Sequence, residues 1–194
     1  MKRVLLLNPP FDQLCIRDQF CSHLSKGTCY CQPVALVLLS GRLAEDGYEL
    51  HVIDAVVERL DDAQTLQRVQ AFAPQVVIFL TGCDSFDRDI AFVDQLKSNG
   101  VTTAIGIGDI LREKGMELLA DNPSMDACLF HYLIHGVDTL LKGDLDHATN
   151  MLVRDEDGVP FVADHKRSKM FPSPKPRYEL FPLRRYRMPH TFSV

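Results

Sequence analysis

The residues of this chain that could hold a ligand fall at five places, each just after an apolar run. They are Asn8-Pro9-Pro10, Asp54-Ala55, Thr81-Gly82-Cys83-Asp84, Gly106-Ile107-Gly108-Asp109 and His131 to Gly136. Glycine lets backbone come close to a bulky ligand, and helix amino termini that follow such runs aim N–H groups at acceptors. Taken singly, Gly82, Gly106, Gly108 and Gly136 are also ordinary turn residues; together, at exits along one edge, they predict a pocket. His131 and His135 can ligate a metal or hydrogen-bond a ligand's amides, and serve equally as satisfied structural histidines. Asp54 can accept from a ligand or cap a helix. No nucleophile stands with a base at any of these positions. We therefore assign no catalytic residue and expect a large bound cofactor to carry the chemistry.

Common ligand signatures do not fit. A dinucleotide site needs Gly-x-Gly-x-x-Gly after the first strand, whereas Gly106-Ile107-Gly108 follows the fourth and has Leu111 where the third glycine belongs. There is no Gly-Lys-Ser/Thr phosphate loop, no acid pair after the first strand and no Gly-x-Ser-x-Gly elbow. Cys15, Cys21, Cys29 and Cys31 lack the Cys-x-x-Cys spacing of structural zinc, so they read as reduced thiols, with a metal or a partner as the alternative. Cys83 and Cys128 adjoin strands and suit small core positions.

The elements that must position these residues begin with Val4 to Leu7, an unbroken apolar run closed by Asn8-Pro9-Pro10, which predicts a parallel strand buried on both faces. Phe11 to Gln32 has no period and is long for a loop, which marks it as functional. Pro33 opens a buried helix over Val34–Glu45, and Tyr48–Ile53 is a second strand. Asp61-Asp62 caps a helix ending before Pro74, and Gln75–Leu80 is a third strand. A helix after Asp84 or Ser85 runs to Asn99-Gly100, Val101–Ile107 is a fourth strand, and a helix spans Ile110 to Ala120. Ala127–Phe130 is a short fifth strand, followed by a helix from Gly136. Strand and helix alternating five times predict an α/β fold, a Rossmann-like or flavodoxin-like doubly wound parallel five-stranded sheet over residues 1–147. Residues 148–163 predict a β-hairpin turning at Asp155-Glu156-Asp157-Gly158. Residues 164–194, with five prolines and no period, predict an extended basic linker.

The length of 194 residues and 46% hydrophobic content suit one core plus an appendage. Net charge is −5, but residues 164–194 hold eight Lys/Arg against two acids, leaving the remainder at −11. An acidic body with a basic tail excludes a nucleic-acid-binding face. No apolar run is long enough for a signal peptide or a membrane span, so a cytoplasmic protein is expected.

Several stretches together resemble the amino-terminal cobalamin-binding domain of B12-dependent radical S-adenosylmethionine enzymes. They are Val4-Leu-Leu-Leu-Asn-Pro-Pro10, Arg17-Asp18 leading to Pro33, Leu39-Ser-Gly-Arg-Leu-Ala-Glu-Asp-Gly47, Val52-Ile-Asp-Ala55 and the tail's Leu180-Phe-Pro-Leu-Arg-Arg-Tyr186. The resemblance covers nearly the whole chain, and relatives include methyltransferases and the anaerobic Mg-protoporphyrin monomethyl ester oxidative cyclase. It implies cobalamin at the five strand exits, with a radical S-adenosylmethionine domain downstream as partner. It further implies methyl transfer to an unactivated carbon, or oxidative cyclisation, in the full-length enzyme. Two departures qualify it. The Cys-x-x-x-Cys-x-x-Cys triplet that would hold a [4Fe-4S] cluster is absent, so S-adenosylmethionine and the cluster would belong to that downstream domain. The Asp-x-His-x-x-Gly motif is missing after the first strand, which implies cobalt without a protein histidine as lower ligand and leaves the Phe11–Gln32 loop to cover the corrin's lower face. The alternative is a regulatory or assembly α/β domain that binds no corrin and offers its cysteine loop to a metal or partner.

Overall fold

The alternation of apolar strand and amphipathic helix winds this chain into a twisted sheet with helices on both faces. A computed structural model describes residues 2–27, 29–130, 136–142, 144, 149–163 and 175–187. The strands are β1 (Arg3–Asn8), β2 (Cys15–Ile16), β3 (His23–Leu24), β4 (Glu49–Asp54), β5 (Val76–Leu80), β6 (Thr103–Ile107), β7 (Ala127–Leu129), β8 (Met151–Arg154) and β9 (Pro160–Val162). The helices are α1 (Val34–Glu45), α2 (Ala55–Glu58), α3 (Asp62–Phe72), α4 (Phe86–Ser98), α5 (Asp109–Asp121) and α6 (Gly136–Leu141).

The main sheet runs β4-β1-β5-β6-β7-β8-β9, parallel through β7 and antiparallel for the last two strands. In order of appearance the parallel strands lie 2-1-3-4-5, the flavodoxin-like arrangement, with its switch point between β1 and β5. The hairpin expected at the carboxyl side is present and continues the sheet, because β8 pairs with β7.

β1 shows no alternation because both of its faces are covered. Val4 and Leu6 meet Leu36, Leu39 and Leu43 of α1, whereas Leu5 and Leu7 belong to the opposite core with Val77, Phe79, Val93 and Leu96. Each fully buried side chain of this kind contributes roughly 1.5–3 kcal/mol. α3 begins with a reciprocal capping box between Asp61 and Gln64, as the Asp61-Asp62 pair suggested.

Three features were not anticipated. α2 is an extra short helix that begins directly after β4, although capping a helix, as Asp54 does here, is one of the two roles read for that residue. The Phe11–Gln32 loop contains a small antiparallel pair, β2 with β3. The third is the tail: where an extended solvated linker was expected, residues 175–187 dock on the body. Phe181 is buried in the α1-side core, the Arg177 N–H donates to Ser40 Oγ at 3.0 Å, and Arg187 pairs with Tyr30. Apolar anchors at Phe181 and Tyr186 explain the docking, since a basic, proline-rich segment alone would remain hydrated. Among the described residues, no helix is long and apolar enough to cross a membrane.

Candidate functional site

The parallel register sets β1 and β4 side by side, so Asn8 stands opposite Asp54 at the carboxyl edge. Asn8 Nδ2 donates to Asp54 Oδ1 at 2.8 Å, and the Val57 N–H donates to the same oxygen at 3.2 Å. The other oxygen accepts from the Tyr186 hydroxyl of the tail at 3.0 Å. Asp54 is 1% exposed, and burial pushes its carboxyl up to about 6 against the pull of these three donors. Burial and the nearby Asp54 carboxylate drive the Tyr186 hydroxyl far above its ordinary value, so it stays a donor.

In open sheets of this order, ligands bind in the crevice at the switch point. Here that crevice holds Arg17. Its NH1 donates to Asn8 Oδ1 at 2.9 Å and to the Pro9 carbonyl at 3.1 Å, while Nε reaches Ser85 Oγ and Asp89 Oδ2, each at 3.0 Å. NH2 closes a 2.5 Å pair with Asp89 Oδ1, and neither side chain of that pair has any exposed surface. Burial pushes the Asp89 carboxyl up; the Arg17 guanidinium and the Ser85 hydroxyl oppose it. Tyr186, half-buried, and the buried Asp54, Asn8, Arg17 and Asp89 thus form one polar chain from the tail to α4.

The same loop covers the next exits. The Ser22 N–H and hydroxyl donate to the Asp109 carboxylate at 2.7–2.9 Å, and Ser22 Oγ accepts from the Cys83 N–H at 2.8 Å. Gln19 Nε2 donates to the carbonyl of Phe130, just past β7. A Cβ built at Gly82 would stand 2.2 Å from Ser22 Cβ, so this glycine admits the loop itself. One at Gly108 would stand 2.1 Å from the Thr81 carbonyl, so this glycine lets β5 and β6 converge. Gly106 faces Leu111, Met125 and Phe79 within the core beneath the edge.

Of the other residues singled out in the sequence, Pro9, Pro10, Thr81 and Ile107 are buried, while Cys83 and Asp84 are exposed beside α4. Gly136 opens α6. His131 and His135 lie outside the described residues. Cys15 is buried, and burial raises its thiol. The structure therefore brings Asn8, Asp54, Thr81, Gly82, Gly108 and Asp109 to one edge. It adds Arg17, Ser22, Ser85, Asp89 and Tyr186 as the residues that close it.

A cavity of about 260 Å³ remains between the Leu14–Cys21 arm of the loop and the exits of β1 and β4, lined by Asn8, Asp54, Val57 and Tyr30 among others. That falls short of the ~300–1,000 Å³ that pockets for drug-sized ligands offer. A corrin is larger than such ligands, and this cavity among the described residues does not hold one. Among the described residues, no group of three or more His, Cys, Asp and Glu is placed to hold a metal.

The two glycines differ in what an added methyl group would push against, and this gives a direct check. Gly108→Ala is expected to lower stability by about 1–3 kcal/mol in urea denaturation, because its neighbour is backbone. Gly82→Ala presses only on a loop serine. It is expected to leave the unfolding midpoint nearly unchanged while speeding trypsin cleavage at Lys26.

No family model matches this chain, and no curated protein is detectably similar to it. Its fold is similar to part of solved cobalamin-dependent radical enzymes. Against the S-adenosylmethionine radical enzyme OxsB with aqua-cobalamin and S-adenosylmethionine bound, the TM-score is 0.67 at 14% identity, over 90% of this chain and 24% of that one. Against the radical S-adenosylmethionine methyltransferase TsrM from Kitasatospora setae, with cobalamin and a [4Fe-4S] cluster bound, it is 0.61 at 14% identity, over 91% and 31%. Apo OxsB gives 0.62 at 14% identity, over 96% and 25%. The chain thus spans about a quarter to a third of these proteins, and at this identity the likeness is one of fold: a mostly parallel α/β sheet with an antiparallel edge, resembling a B12-binding Rossmann-like domain.

Proposed function

We propose that this chain is a cobalamin-binding domain whose ligand edge is closed by its own Phe11–Gln32 loop. Cobalamin is the reading supported by the fold likeness to OxsB and TsrM, whose structures contain it, over nine-tenths of this chain. The observation that carries the reading to a place is the convergence of Asn8, Asp54, Thr81, Gly82 and Asp109 at the switch-point edge. At the described exits of β1, β5 and β6 the polar groups meet the loop itself. The residues of this chain have two tasks: they form the edge, and they hold the cover over it. Cobalt, when bound, would supply methyl-carrier or redox chemistry. Transfer to a substrate, the [4Fe-4S] cluster and S-adenosylmethionine cleavage would belong to a radical domain of a longer protein, in a methyltransferase or an oxidative cyclase.

One observation favours the alternative of a corrin-free regulatory or assembly domain: Arg17 already occupies the crevice, bonded to Asn8, Pro9, Ser85 and Asp89. Hydroxocobalamin separates the two. The purified chain and its Asp109→Asn variant, which loses the carboxylate that holds Ser22, are incubated with the corrin and desalted. Retained corrin absorption bands, stronger for the variant, are expected. Colourless protein from both preparations would overturn the cobalamin reading and leave the regulatory one.

A further inference from the structure

Cys29 and Cys31 project to the same side of the chain, as residues two apart in an extended segment do. Their sulfurs stand 3.4 Å apart, both thiols are free, Cys31 is exposed and Cys29 partly so. Tyr30, between them, carries the one backbone bridge from the loop to the tail among the described residues: its N–H donates to the Arg187 carbonyl at 2.8 Å and its carbonyl accepts from the Arg187 N–H at 3.0 Å. Its hydroxyl also accepts from Arg59 at 3.2 Å. No third metal-ligating side chain joins the two thiols among the described residues, so a metal knuckle does not account for the pair.

We propose that Cys29 and Cys31 are a dithiol–disulfide couple, and that closing the disulfide releases the tail from Tyr30. A disulfide brings its sulfurs to about 2.05 Å and its Cα atoms to roughly 4.4–6.8 Å, commonly 5.5–6 Å. Residues two apart in a strand have Cα atoms about 6.4–6.8 Å apart, at the upper limit of that range and beyond its common values. Relaxing toward the common disulfide spacing folds the backbone at Tyr30 inward as the bond forms, and this pulls its N–H and carbonyl away from Arg187. The oxidant is a small-molecule disulfide of the glutathione class. One thiolate attacks it and expels one thiolate product, giving a mixed disulfide. The second cysteine thiolate then attacks that bond and expels the other product. The two protein thiols lose two electrons and two protons, and one disulfide becomes two thiols.

Trypsin supplies a clean readout, since cleavage after Lys26 and Arg42 yields the peptide Gly27–Arg42, which contains these two cysteines and no other. The full chain is equilibrated across reduced-to-oxidised glutathione ratios, alkylated and mapped. In reduced buffer the peptide is expected to carry two labels; in oxidised buffer it carries none and is lighter by two hydrogens. Amide exchange at Tyr30 and Arg187 is expected to speed up roughly tenfold on oxidation, the consequence of losing two backbone hydrogen bonds. A Cys29→Ser variant, with a small polar group at a partly exposed site, is expected to show neither change. Two persistent labels, a mixed disulfide with glutathione only, a bridge from either thiol to Cys15 or Cys21, or unchanged exchange at Tyr30 and Arg187 would each overturn the proposal. None of these results bears on whether the edge binds a corrin.

Discussion

Arg17→Met is expected to lower the unfolding free energy by about 3–5 kcal/mol, because it leaves the Asp89 carboxylate buried without its cation. Methionine matches the stem of arginine but none of its five donors, so Asn8 Oδ1 and the Pro9 carbonyl lose partners as well. The two side chains of the pair have no exposed surface, so solvent does not screen the loss. Urea denaturation checks the magnitude. A double variant, Arg17→Met with Asp89→Leu, separates pairing from packing: it is expected to recover most of the loss, since apolar groups of similar size often replace a buried pair at little cost. A single-variant loss under about 1 kcal/mol would mean that the loop does not depend on this pair.

Asp54 is expected to make the protein less stable as pH rises from about 4 to about 6. In the folded chain its carboxyl titrates at about 6, whereas an unfolded aspartate titrates near 3.9. Between those values the folded state binds the extra proton, so each step up in pH favours unfolding. Above about 6 the penalty is complete, of order 2–3 kcal/mol at about 1.4 kcal/mol per unit. Burial raises Asp89 too and adds to the slope in the same direction, so the wild-type curve alone does not isolate Asp54. Asp54→Asn does. An amide oxygen can still accept from Asn8 and Val57, and its NH2 can face a Tyr186 hydroxyl turned to accept. The variant is expected to be the more stable protein at pH 7 and to lose most of its advantage by pH 4. Parallel wild-type and variant curves of unfolding free energy against pH would contradict this assignment.

The sheet was legible because burial on both faces leaves a plain signature. Val4 to Leu7 and Val76 to Leu80 have no polar position, and only covered parallel strands tolerate that. α1 fell at Val34–Glu45 because Pro33 and Asp46-Gly47 punctuate it at both ends. The closing of the edge was not legible. Arg17 lies in a stretch without period, and a buried arginine announces itself only through a carboxylate that meets it in three dimensions. Asp89 offered a faint signal: it falls one turn before Val93, on the inward stripe of α4, where an unpaired acid would not be tolerated. Ser22 offered none, because what fixes it is the missing side chain of Gly82, sixty residues away. The tail misled for a related reason. Its prolines and positive charge describe the segment on average, whereas Phe181 and Tyr186 alone decide where it rests.

Because one short segment is tied in turn to the exits of β1, β5, β6 and β7, its fastenings do not let go one at a time to any effect; a visitor gains the crevice only when several have parted together. Release of that kind is a unimolecular step of the protein itself. Any molecule that uses this edge therefore waits on the protein's own clock, and raising its concentration hastens arrival only until that clock sets the pace.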